Sequence, residues 1–183
     1  MENRFKLGVI VGRFQGLHEG HETVIDTALS LCDVVGIFIG SSEESGTANN
    51  PFSFETRREM IERVYGGRVK IFPLPDIGVG NCAEWGEYVL DNVVNRFGSL
   101  PDVLISGREE RRADWLEGPR GKYVAELYVP KKIDISATRM RQYFIDDDVT
   151  TWKSFTNPVL WDMYVSLREE VTASKDNLET MSV

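Results

Sequence analysis

Two rhythms of apolar and polar positions alternate along the chain. Lys6-Leu7-Gly8-Val9-Ile10-Val11 is a short apolar run of the kind that forms a buried strand. It is followed over Glu22–Leu31 by apolar residues at Val24, Ile25, Ala28, Leu29 and Leu31, which is helical spacing. The pair recurs. Further strands are predicted over Val34–Ile39, Val69–Pro73, Val103–Ser106 and Tyr123–Val129. Further helices are predicted over Ser53–Val64, Ala83–Phe97 and Thr138–Ile145, with a short one near Glu109–Trp115. A last helix over Pro158–Val171 carries proline in its first turn, where the missing N–H has no intrahelical partner to lose. Strands alternating with helices predict an α/β protein with a Rossmann-like, doubly wound, parallel five-stranded sheet and flanking helices. Ligands of such sheets bind beyond the carboxyl ends of the strands, near the switch in strand order.

Residues 1–171 are expected to form a single domain. The polar stretch 172–183 reads as a loose tail, and Asp146-Asp147-Asp148 as a solvated turn. With 183 residues the chain is long enough to bury a real core. A formal net charge of −8 disfavours a sequence-independent nucleic-acid binder, which would carry a basic excess. Arg13, Arg57, Arg108, Arg139 and Arg141 are nevertheless candidates for a local positive pocket. Cys32 and Cys82 have neither zinc-site nor redox-motif spacing. No apolar run reaches membrane-spanning length and no signal peptide is evident, so a cytoplasmic location is the expectation.

The chemistry concentrates in one turn. His18 and His21 are the only histidines, and they lie between the first strand and the first helix, in Gly12-Arg13-Phe14-Gln15-Gly16-Leu17-His18-Glu19-Gly20-His21. A helix N-terminus presents N–H groups and a positive dipole end, which favour phosphate. Gly12 and Gly20 allow close backbone approach, Arg13 offers a fork of donors to phosphate oxygens, and both imidazoles can donate. Near the other end of the chain, Ile135-Ser136-Ala137-Thr138-Arg139-Met140-Arg141 places Ser136 or Thr138 to cap a helix. Arg141 then lies one turn in, able to hold distal phosphates.

The first stretch resembles the signature His-x-Gly-His of the nucleotidyltransferase α/β-phosphodiesterase superfamily. Its longer form resembles the Gly-Arg-Phe-Gln-Pro-x-His-x-Gly-His of archaeal-type nicotinamide mononucleotide adenylyltransferases, with Gly16 where that pattern has proline. The substitution changes turn stiffness and removes no reactive group. The second stretch resembles the superfamily's Ile-Ser-Ser-Thr-x-x-Arg, with Ala137 in place of the second serine. Gly40-Ser41-Ser42-Glu43-Glu44-Ser45 and Asn50-Pro51-Phe52, followed by Arg57, are similar to further stretches of the same adenylyltransferases. So are Pro75-Asp76-Ile77, Asn81 and Trp85, with one extra residue between Asn and Trp.

The resemblance implies AMP transfer from ATP to nicotinamide mononucleotide, giving NAD and pyrophosphate. His18, His21, Arg13 and Arg141 would be catalytic. Gly12, Phe14, Gly20, Gly107, Ser136 and Thr138 would complete the ATP site. Ser41, Arg57, Asn81 and Trp85 would meet the acceptor, Arg57 at its phosphate and Trp85 by stacking on nicotinamide. Read from periodicity alone, Trp85 is equally a core residue of its helix, and Arg57 part of a charged helix face. Magnesium is expected on the phosphates, without a protein cage. The partners implied are small molecules, with no nucleic acid and no membrane; a homo-oligomer is compatible with the sequence.

Rival acceptors are nicotinate mononucleotide, phosphopantetheine, glycerol phosphate and choline phosphate, which the two signatures do not separate. The Asn-Pro-Phe stretch, Arg57 and Trp85 favour nicotinamide. A rival from another class is a nucleotide sensor without turnover. A dinucleotide-dependent dehydrogenase is disfavoured, because no Gly-x-Gly-x-x-Gly follows the first strand.

Overall fold

The computed structural model describes residues 4–107 and 113–180. Its centre is a parallel sheet of β1 (Phe5–Gly12), β2 (Cys32–Gly40), β3 (Lys70–Leu74), β4 (Val103–Ser106) and β5 (Ala125–Tyr128). The spatial order is β3-β2-β1-β4-β5. Order therefore reverses at β1, which pairs with β2 on one side and with β4 on the other. A crevice opens at the carboxyl ends of those strands.

Side chains alternate across the sheet and define two cores. Ile10, then Val35, Ile37 and Ile39, then Val103 and Ile105 face one side. Leu7, Val9, Phe38 and Leu104 face the other. The first face is covered by α1 (Glu19–Leu31), α2 (Phe54–Tyr65), α4 (Ala137–Ile145), α5 (Val149–Ser154) and α6 (Tyr164–Thr180), through residues such as Ile25, Ile61, Phe144, Trp152 and Leu167. The second is covered by α3 (Ala83–Phe97) and a 3₁₀ turn at Ala113–Leu116, through Trp85, Val89, Leu90, Val93 and Trp115. This is the doubly wound, Rossmann-like sheet that the periodicities predicted. Gly86 lets the two parts of the second layer touch: a Cβ there would stand 1.8 Å from the Trp115 carbonyl oxygen.

Several boundaries differ from the pattern-based expectation. Helix α1 starts at Glu19, so Gly20 and His21 lie within its first turn and His18 caps it. Ser53 precedes α2 as its N-cap, its hydroxyl accepting from the Thr56 N–H at 3.1 Å. Helix α5 was not expected. It is six residues long, and Asp148, the last of the three aspartates, caps it by accepting from the Thr151 N–H at 3.0 Å. Residues 158–163 form a 3₁₀ segment, after which α6 runs to Thr180, through most of the expected tail. The physical reason is that 172–180 contains neither glycine nor proline, and Leu167, Val171 and Ser174 continue one buried face at helical spacing. Arg108, and most of the short helix predicted near Glu109–Trp115, lie outside the described residues. No described helix is long and apolar enough to cross a membrane.

Candidate active site

The β1–α1 turn is built from an unusual backbone. Phe14 adopts φ 51° and Gly16 φ 97°, and the Gly16 N–H donates to the Phe14 carbonyl at 2.9 Å. Proline is confined to φ near −65° and has no N–H, so the residue that the family pattern has at this place does not fit this turn. Glycine at 16 supplies both the positive φ and the N–H that this turn uses. The buried Phe14 ring lies 4.9 Å from His21, and the His21 and His18 rings stack with centroids 3.9 Å apart.

His18 is the N-cap of α1. Its Nδ1 accepts from the Gly20 N–H at 3.1 Å. In the neutral ring the proton is then on Nε2, which makes Nε2–H the donor that His18 can offer a ligand. Burial, reinforced by the nearby Lys131 ammonium, pushes the His18 imidazole down to about 4, so it is neutral near pH 7.

The helix N-terminus itself departs from expectation. The Glu19 N–H donates to the Phe155 carbonyl at 2.9 Å, the Gly20 N–H to His18, and the His21 N–H to the His18 carbonyl at 2.8 Å. The first-turn N–H groups of α1 are thus satisfied within the protein. The donors at this end are side chains instead.

Those side chains surround a cavity of about 240 Å³ at the carboxyl ends of β1, β4 and β5. Of the residues singled out in the sequence, Gly12, Arg13, Phe14, His18, Gly20, His21, Gly107, Thr138 and Arg141 come together in its lining. At Gly107 a Cβ would come 2.7 Å from a Val24 methyl, which would have to shift. Ser136 serves the helix instead, its hydroxyl capping α4 by accepting from the Arg139 N–H at 3.3 Å. Thr138 Oγ1 accepts from Arg141 Nη2 at 3.3 Å, which braces that guanidinium. Burial and the neighbouring Arg13 charge lower the Arg141 guanidinium below its usual range. Arg139 turns away onto Asp134, 2.6 Å from both its carbonyl and its carboxylate.

Lys131 and Lys132 line the cavity as well, and sequence reasoning missed them. Their signal was available, because they closely follow β5 at the sheet edge where ligands bind. Of the described residues lining the cavity, four are cationic (Arg13, Lys131, Lys132 and Arg141) and none is a carboxylate. An acidic chain has collected positive charge at its switch point. Among the described residues no three His, Cys, Asp or Glu side chains converge to hold a metal ion. The donor set therefore suits phosphate oxygens and not a bare cation.

The four residues expected to meet the acceptor lie elsewhere. Arg57 is fully buried, and its guanidinium donates to the carbonyls of Ser53 (3.0 Å), Arg13 (3.0 Å), Gly40 (2.8 Å) and Ser41 (3.0 Å). It ties the ends of β1 and β2 to the start of α2, a structural role rather than a phosphate contact. Ser41 adopts φ 46° and gives its carbonyl to that hub. Trp85 is buried in the second core, 5.9 Å from Trp115 and 5.3 Å from Tyr88 between ring centroids. Asn81 Oδ1 accepts from Trp115 Nε1 at 3.1 Å. Packing under α3 thus claims Trp85, in line with the reading from periodicity. Two buried residues unassigned by the sequence do reach the turn: Gln15, which bonds Phe52, and Asn50, which accepts from Arg13 at 3.4 Å and donates to Glu44.

A site of this kind handles the phosphates of a nucleotide, which is the work of the nucleotidyltransferase class. Within that class the chain belongs to the cytidylyltransferase-like family, whose pattern matches residues 9–143. It is 34% identical over 148 residues to the nicotinamide-nucleotide adenylyltransferase of Thermococcus onnurineus, covering 78% of this chain and 74% of that one. It is 30% identical over 184 residues to the enzyme of that name from Pyrococcus furiosus, covering 96% and 92%. Its fold matches a bifunctional NMN adenylyltransferase/ADP ribose pyrophosphatase from Francisella tularensis with a TM-score of 0.77 at 22% identity. That match covers 97% of this chain but 55% of the Francisella chain.

Proposed function

We propose that the protein transfers AMP from ATP to nicotinamide mononucleotide, releasing pyrophosphate and forming NAD. The observation that carries this reading is the cavity between the two signatures, whose charged lining residues are all cationic, in a chain whose relatives bear the name nicotinamide-nucleotide adenylyltransferase.

ATP enters as its magnesium complex, with the metal carried on phosphate oxygens. The Francisella enzyme has also been crystallised with AMP and a manganese ion. The triphosphate spans the cavity from the histidine turn to Arg141. A phosphate oxygen of the mononucleotide attacks the α-phosphorus; one P–O bond forms there and the bond to the β-phosphate oxygen breaks. The nucleophile is already an anion near neutral pH, so no general base is required, and the chemistry reduces to positioning and charge stabilisation. His18 donates from Nε2–H and His21 stacks beside it, both placed for charge growing on the α- and β-phosphates. Arg13, Arg141, Lys131 and Lys132 hold the departing pyrophosphate.

Losing one preorganised donor typically costs about 10²–10³ in rate. The test is His21→Ala: pyrophosphate release should fall by that factor while the melting curve stays that of a folded protein. Full activity in the variant would refute the assigned role.

A further inference from the structure

Gln15 stands between the two left-handed residues of the turn, Phe14 and Gly16. That bend drives its side chain inward, where it is 2% exposed. There the carboxamide clasps the backbone of Phe52 at two points: Oε1 accepts from the Phe52 N–H at 3.0 Å, and Nε2 donates to the Phe52 carbonyl at 3.3 Å. The pairing imitates one rung of a sheet between segments that are not strands. Phe52 is itself fully buried, edge-on to Phe144 of α4 with ring centroids 6.2 Å apart. A Cβ on Gly16 would lie 3.7 Å from Met140 of α4 and 3.8 Å from the Phe52 ring. Three pieces meet at this clasp: the turn bearing His18 and His21, the segment that leads into α2, and the helix bearing Thr138 and Arg141.

We propose that Gln15 is a positioning residue for nucleotidyl transfer. By fixing Phe52 it holds the histidine turn in register with α4, so that both sets of donors address one triphosphate. Its amide acts on the Phe52 peptide and not on the reacting atoms. The inference rests on the adenylyltransferase reading above.

The test uses Gln15→Met, which keeps length and loses both hydrogen bonds, and Gln15→Glu, which keeps the acceptor and, measured at a pH where the carboxyl is ionised, loses the donor. Each is measured beside the wild type for kcat, for both KM values, for melting and for exchange of the Phe52 amide. Misplacing reacting groups by about 1 Å costs on the order of 10² in rate. We expect a kcat loss of that order in Gln15→Met with both KM values within about threefold, in keeping with lost alignment rather than lost binding. Phe52 amide protection should vanish in Gln15→Met and persist in Gln15→Glu, with kcat reduced in both. A folded Gln15→Met with wild-type kcat overturns the proposal, and so does a loss expressed wholly in KM. A wild type that releases no pyrophosphate with any acceptor refutes the underlying reading instead. In that case the exchange comparison decides the clasp: wild-type Phe52 protection in folded Gln15→Met, or lost protection in Gln15→Glu, contradicts it; if Gln15→Met fails to fold, lost protection and unchanged kcat in Gln15→Glu are the contradicting results.

Discussion

Replacing Arg57 by methionine should destabilise the protein before it touches catalysis. Four guanidinium-to-carbonyl bonds of 2.8–3.0 Å disappear at a fully buried site. At about 1.5 kcal/mol each, the low end for charged donors, they contribute about 6 kcal/mol. Burying the cation opposes this by about 3 kcal/mol, as the fall of its guanidinium from 12.5 to about 10 indicates. The balance, about 3 kcal/mol, is of the order that leaving buried carbonyls without a donor costs. For a chain of this length that lowers the melting temperature by about 10 °C. Arg57→Lys keeps the charge but not the fork, so it should also lose stability. Differential scanning calorimetry of the three proteins, with KM for the mononucleotide, is the assay. A phosphate-contacting arginine would behave differently: KM would rise, and melting would move by less than about 2 °C. That outcome would refute the hub.

Other consequences follow from the same geometry. His18 titrates near 4 when folded and near 6.5 when unfolded, so on acidification through that window the unfolded chain takes up a proton that the native protein does not. Its contribution is complete above pH 6.5 and declines toward pH 4 by up to about 3 kcal/mol. Urea unfolding of wild type and His18→Asn across that range should diverge accordingly, and parallel curves would contradict the assignment. Gly16→Pro, although it restores the family pattern, should cost more than about 1 kcal/mol, because φ 97° and the bond to Phe14 are both lost. An unchanged melting temperature would show that the turn takes another path. Gly86→Ala should cost about 1–3 kcal/mol by forcing α3 away from the Trp115 carbonyl, with no effect on KM beyond that of instability; unchanged stability would mean that this contact is looser than described.

What the sequence displayed well were features with long periods or rare residue types. Strand and helix rhythms located five strands and the helices α1 to α4, since each repeats its signal over several positions. The histidine pair and Ser136 to Arg141 were visible because few other environments call for those groups together. Tertiary choices were hidden. Spacing alone does not say which layer claims Trp85, and it took the fold to show Trp115 waiting there. Arg57 sits at a family position on a charged helix, yet three segments brought together by the sheet surround it with carbonyls. The Phe155 carbonyl that satisfies the Glu19 N–H comes from far along the chain and has no local signature. Helix α5 buries one large side chain, Trp152, too little to give a period.

The most direct test of the central claim follows the α-phosphate. Purified protein with magnesium and ATP labelled at that position is offered nicotinamide mononucleotide, nicotinate mononucleotide, phosphopantetheine and glycerol phosphate in parallel. Label should pass into NAD, matched one for one by unlabelled pyrophosphate, fastest with nicotinamide mononucleotide and nearly abolished in His21→Ala. Label entering only another acceptor would keep the chemistry and contradict the substrate. Label remaining in ATP with every acceptor, while ATP binds, would contradict nucleotidyl transfer altogether and leave a nucleotide sensor.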